Sequence, residues 1–146
     1  NISNMYIKII HVGKMRERTY DKKFRKYLEW ISPDAKLEVI TLKESHSDRV
    51  TNQVNNLKKN NHFIICLSEQ GRNLDSITFS KFLFECGDKI VFVLGNHLGL
   101  PKELIKKSNF SLSLSKMTMP HEMANLVLIE QLYRAFCIKK GSHYHR

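Results

Sequence analysis

No stretch of eighteen apolar residues occurs in the 146-residue sequence, so no segment is expected to cross a membrane as a helix. Cysteine is scarce: Cys66, Cys86 and Cys137 are far apart, odd in number and set among apolar neighbours. That pattern excludes a disulfide framework and any zinc spacing, and suits reduced core thiols in a cytoplasmic protein. The opening "NISNMYIKII" lacks a basic start, and its apolar run is too short for a secretory signal. Met5 is the expected natural start, with four extra residues ahead of it. Neither a phosphate-binding Walker loop nor a GxGxxG dinucleotide fingerprint is present. No repeat, linker or low-complexity tract interrupts the chain, whose length suits one domain spanning residues 1–146.

Acidic residues are also few. Against 24 Lys and Arg stand 14 Asp and Glu, a net charge of +10 that favours polyanions through phosphate contacts and counterion release. Nucleic acid is the first candidate. The excess is densest in "KMRERTYDKKFRK", where Lys14, Arg16, Arg18, Lys22, Lys23, Arg25 and Lys26 outnumber two acids.

Apolar and polar runs alternate along the chain. "MYIKIIHVG" is a β-branched run closed by Gly13 and reads as a first strand. From Glu17 to Ile31, Tyr20, Phe24, Tyr27, Leu28 and Ile31 recur at helical spacing, with Arg18, Lys22 and Arg25 together on another face. Pro33 stops that helix, and "KLEVITL" follows as a second strand. Ser45 to Asn61 is a modestly apolar helix, "HFIICLS" a buried strand, and Gly71 and Asn73 are turn residues. Ser76 to Glu85 is a helix, "KIVFVLG" a strand, and "PKELIKKS" a short helix opened by Pro101. "FSLSL" is a last strand, and Glu122 to Ile138 a long helix. The order predicts a mostly parallel α/β sheet of five strands with helices on both faces.

In such sheets ligands bind beyond the carboxyl ends of the strands, which brings together the loops after Leu67, Leu94 and Leu114. "LGNHLGLP" offers two glycines on a sharp path, either a plain turn or a place for a ligand to approach the main chain. "NLVLIEQLYRAFCI" is apolar almost all the way round, wider than one sheet face requires. Either a second subunit or a sandwich of helices within the monomer covers the remainder. The tail "GSHYHR" can hydrogen-bond, stack on bases and contact phosphate, or can be a frayed end or cloning remnant. His143, His145 and Cys137 lack a fourth ligand at a recognised spacing, so no metal site is expected.

The combination of "IKIIHVGK", "LGNHLGLP", "SLSLSKMTMPHEMANLVLIEQLYRA" and a chain ending "YHR" resembles the RlmH family of SPOUT methyltransferases, from about Met5 to Arg146. The resemblance implies a SPOUT fold whose C-terminal segment forms a trefoil knot. It implies an S-adenosylmethionine-dependent enzyme that methylates N3 of a pseudouridine in the helix 69 region of 23S ribosomal RNA, on the assembled 70S ribosome. It also implies a homodimer. Matched by position, cofactor contacts fall on Leu67, Gly95, Asn96, Gly99, Ser115, Lys116, Met117, Thr118, Met119 and Pro120. Tyr144, His145 and Arg146 would hold or activate the target nucleotide across the dimer interface, with His121 where pocket meets RNA. His145 and His121 are candidates to take the N3 proton, and Arg146 to stabilise the deprotonated base. Arg18, Lys22, Arg25 and Arg134 are the expected RNA contacts.

The chain departs from the family at three places. Asn96 stands where a second glycine is usual, and Asn tolerates left-handed backbone angles better than most residues. Asn125 stands where an arginine is usual, leaving that charge to Arg134 or Arg146. Ser68 stands where an acid is common, with Glu69 as the partial substitute. Two rival readings follow: a SPOUT methyltransferase acting on another RNA such as transfer RNA, and a non-catalytic RNA-binding or ribosome-assembly module.

Overall fold

The computed structural model describes residues 4–43 and 47–145. Five strands, β1 (Tyr6–Val12), β2 (Lys36–Leu42), β3 (Phe63–Asn73), β4 (Lys89–Leu94) and β5 (Phe110–Ser113), alternate with five helices. These are α1 (Arg18–Ile31), α2 (Ser47–Lys59), α3 (Ser76–Glu85), α4 (Lys102–Lys107) and α5 (His121–Lys140). All strand pairs are parallel, in the order β2-β1-β4-β3-β5.

The two central strands explain their continuous apolar sequence. Ile7 and Ile9 of β1 and Ile90, Phe92 and Leu94 of β4 point into one core, with Phe24 of α1, Phe79 of α3 and Leu128 of α5. Ile10, Val12, Val91 and Val93 point into another, with Val50 of α2 and Leu104 of α4. With both faces covered, these strands are almost wholly apolar, and the buried polar residue among them, His11, has both ring nitrogens hydrogen-bonded. Burial of each large side chain, Phe92 or Phe136 for example, stabilises the fold by roughly 1.5–3 kcal/mol.

Helix α5 is flanked by α1 and α3. Tyr133 meets Tyr27 at 5.9 Å between ring centroids, Phe136 meets Phe84 at 5.3 Å, and Ser80 Oγ donates to the Ala135 carbonyl at 2.9 Å. Much of its apolar circumference is therefore covered within one chain. Gly141, at φ 73°, ends it in the left-handed conformation that glycine adopts without a Cβ clash.

The helices and strands lie where the sequence places them, with corrections to β3 and to the bounds of α5, which runs to Lys140. Gly71 and Asn73, read as turn residues, belong to β3, which continues past Ser68 and re-pairs with β5 after a register shift between Leu67 and Arg72. A Cβ on Gly71 would lie 2.6 Å from the Ser111 carbonyl oxygen, so glycine here serves strand contact instead of a turn. Helix α5 also opens one residue early, at His121 directly after Pro120. Ser45, where α2 was expected to begin, lies outside the described residues.

Candidate active site

The carboxyl ends of β3, β4 and β5 enclose a cavity of about 740 Å³. Leu67 enters from β3, Gly95, Asn96 and Gly99 from the loop after β4, and Ser115 and Met117–Pro120 from the segment leading to α5. Nine of the ten residues matched to cofactor contacts thus line one space, and Lys116 is the exception. His121 lines it too.

Local chemistry shapes both loops. Asn96 is not in the left-handed region; its Oδ1 instead accepts the Leu98 N–H at 2.9 Å, while its carbonyl accepts the Gly99 N–H at 2.9 Å. An Asx turn therefore does the work expected of a second glycine. Gly95 has no room for a side chain, since a Cβ would lie 2.6 Å from the Gly99 carbonyl carbon, and Gly99 sits at φ 78°. In the facing segment, Ser115 Oγ accepts the Met117 N–H at 3.0 Å. Thr118 Oγ1 donates to Glu69 Oε2 at 3.1 Å, so Glu69 ties β3 to this segment.

Two residues that the sequence did not single out stand close to His121 of the cavity wall. His11, at the end of β1, is buried; its Nδ1–H donates to the Gly13 carbonyl at 2.8 Å and its Nε2 accepts from Thr41 Oγ1 at 2.9 Å. Burial holds its pKa below the ordinary 6.5, the charge of nearby His121 acts in the same sense, and the bond to Gly13 opposes them. Glu122 Oε1 accepts the main-chain N–H groups of Arg16 at 2.6 Å and Glu17 at 2.9 Å, joining the basic segment to the start of α5. The only hint of either in the sequence is position, at a strand end and in a helix first turn.

Asn125 is buried, with Nδ2 donating to the His121 carbonyl at 3.2 Å and Oδ1 without a hydrogen-bond partner. It therefore offers no surface group in place of an arginine. Arg18, Lys22 and Arg25 are exposed on α1, with Arg25 paired to Asp21 at 3.1 Å.

The tail lies elsewhere. Tyr144 Oη donates to Glu130 Oε2 at 2.8 Å, Arg134 pairs with the same carboxylate at 2.8 Å, and Arg134 Nη1 reaches His145 Nδ1 at 3.0 Å. The Arg134 guanidinium, expected to meet RNA, is thus bonded to Glu130 and His145 within the chain. Desolvation, then hydrogen bonds with Tyr27 and Glu130, push the Tyr144 phenol above its ordinary value, so it stays protonated and acts as a donor. Neither Tyr144 nor His145 lines the cavity. From His121 to Arg134 along α5 is roughly 20 Å at 1.5 Å per residue. Arg146 lies outside the described residues.

A parallel sheet with a cavity at its carboxyl edge, lined by apolar and polar side chains together, defines an α/β protein with a site of small-molecule size where such sheets hold their ligands. The family model described as "Predicted SPOUT methyltransferase" matches residues 5–145, and the chain belongs to that family. It is 34% identical to "Ribosomal RNA large subunit methyltransferase H" of Clostridium botulinum (strain Alaska E43 / Type E3), over 97% of this chain and 100% of that protein. Among solved structures, a probable methylase family protein from Haemophilus influenzae Rd KW20 superposes with a TM-score of 0.60 at 15% identity. That match covers 100% of this chain and 72% of the other. The SpoU methyltransferase AviRb from Streptomyces viridochromogenes, solved in complex with AdoMet, gives 0.56 at 11% identity, over 94% and 59% of the two chains. Family membership makes the chain a methyltransferase that uses S-adenosylmethionine.

Proposed function

We propose that this enzyme methylates N3 of a pseudouridine in 23S ribosomal RNA, in the helix 69 region of the assembled ribosome. The observation that carries the reading is the meeting of residues 95–99 and 115–120 around one cavity. The chain that builds it aligns end to end with a relative named for large-subunit ribosomal RNA methylation. The trefoil knot belongs to the same proposal, since these two segments would be its loops.

The cavity suits the donor. Its volume is within the usual range for small-molecule sites, and Leu67, Leu94, Leu114 and Met119 offer apolar surface to an adenine ring. At Gly99 nothing lies within 4 Å of where a Cβ would stand, so a ligand can approach the main chain there closely. When bound, S-adenosylmethionine would supply an electrophilic methyl group for N3, which must give up its proton. The chain's own tasks are to align the acceptor and to manage that proton.

The second half of the reading is a homodimer in which Tyr144, His145 and Arg146 of one copy reach the cavity of the other. Two observations support it: the tail lies away from its own cavity, and Leu98 and Met117, both at the cavity, are 81% and 80% exposed. Large apolar groups at a binding mouth suit coverage by another surface. Exposed Arg18, Lys22 and Arg25 supply the phosphate contacts. Among the described residues no helix is long and apolar enough to cross a membrane, and the cytoplasm, where ribosomes work, is the proposed location.

The test is to incubate the protein with labelled donor and 70S ribosomes lacking the modification, then map the methylated base. Label on transfer RNA instead, or on no RNA, would overturn the assignment. Calorimetry with S-adenosylmethionine would separate a wrong target from a protein that binds RNA without catalysis.

A further inference from the structure

The contact between Arg134 and His145 fixes more than the position of the tail. A guanidinium carries N–H donors and no acceptor, so at 3.0 Å from Arg134 Nη1 the His145 Nδ1 must be the acceptor. A neutral imidazole with an accepting Nδ1 carries its proton on Nε2. Arg134 is itself held on its other side, with Nε and Nη2 directed at the Glu130 carboxylate at 3.4 and 2.8 Å, so Nη1 is the edge left for the ring. Tyr144 closes the arrangement, donating to Glu130 while its ring lies beneath the Arg134 guanidinium at 4.9 Å.

We infer that Glu130 and Arg134 are positioning residues that hold His145 as the Nε2–H tautomer, so that it serves the methyl transfer as a hydrogen-bond donor and not as the base. The inference rests on the reading above, in which His145 meets the target uracil ring. With its Nδ1 occupied and its Nε2 protonated, the ring has no lone pair to take the N3 proton. It has an N–H to direct at a ring carbonyl oxygen, where negative charge collects as N3 loses its proton. The N3 proton then passes to His121, one of the two histidines in the cavity wall with His97, and the one at the start of α5. Of the two candidates that the sequence offers for the base, this leaves His121.

Glutamine separates the two roles, because its amide can donate from near the Nε2 position but cannot accept a proton at neutral pH. His145→Gln is expected to keep at least about a tenth of wild-type turnover, and His145→Ala to lose roughly 10²-fold. Equal large losses in both variants would make His145 the base and overturn the inference. A readout independent of activity is the ¹⁵N spectrum of the His145 ring in the intact protein, expected to show a protonated Nε2 and a bare Nδ1. That signature should be lost in Arg134→Ala, and a protonated Nδ1 in the wild type would also overturn the inference. Undiminished turnover in both His145 variants would remove this residue from the reaction, and with it the reading on which the inference rests, whatever tautomer the spectrum gave.

Discussion

Glu122, in the first turn of α5, accepts the main-chain N–H of Arg16 at 2.6 Å across 106 residues of sequence. The same oxygen takes the Glu17 N–H, so the basic segment is fastened to the helix that carries His121. A carboxylate also suits the positive end of a helix dipole. Glu122→Ala is expected to weaken RNA binding by about fivefold, close to 1 kcal/mol, while donor affinity is unchanged. Glu122→Gln, which retains an acceptor oxygen, should fall between. Titration of an RNA fragment and of S-adenosylmethionine against each variant checks both halves.

Arg18, Lys22 and Arg25 are exposed on one side of α1. Their joint replacement by Gln should reduce the slope of log affinity against log salt by about 2, the amount expected for three lost contacts to single-stranded RNA. An unchanged slope would mark this face as solvated and uninvolved.

Gly95 faces main chain, which cannot rotate aside as a side chain could. Gly95→Ala should displace the loop at residues 95–99 and reduce donor affinity at least about tenfold, roughly 1.4 kcal/mol, by calorimetry. The sheet lies behind the loop, so far-UV circular dichroism should change little.

His11 gives stability a pH dependence. Its folded-state pKa is depressed by burial, so the unfolded chain binds the proton first as pH falls. Stability from the neutral buried ring is intact above about 6.5 and declines as pH drops below it toward the folded-state value. Melting temperatures between pH 7.5 and 5.5 should fall for the wild type, and His11→Gln should flatten that limb.

The cysteines illustrate a reading that local sequence supports well. Cys66 and Cys137 are buried and Cys86 is partly so, and burial raises the Cys66 thiol to about 11 and the Cys86 thiol to about 12. Both stay protonated thiols in an apolar setting, as their neighbours in the chain suggest.

The strands, helices and basic face of α1 were determined by the sequence itself, because apolar spacing and net charge act between near neighbours in the chain. So was the glycine requirement after β4. Only the tertiary structure decided that residues 95–99 and 115–120 share a cavity, since that depends on β5 lying beside β3 and not beside β4. It decided that Asn96 builds its turn with a side chain, that β3 runs on through Gly71, and that Glu122 reaches Arg16. It also gave Arg134 to His145. Each is a contact between residues whose adjacency follows from strand order and helix packing, and no local pattern encodes the tautomer of a ring that a helix eleven residues earlier holds in place.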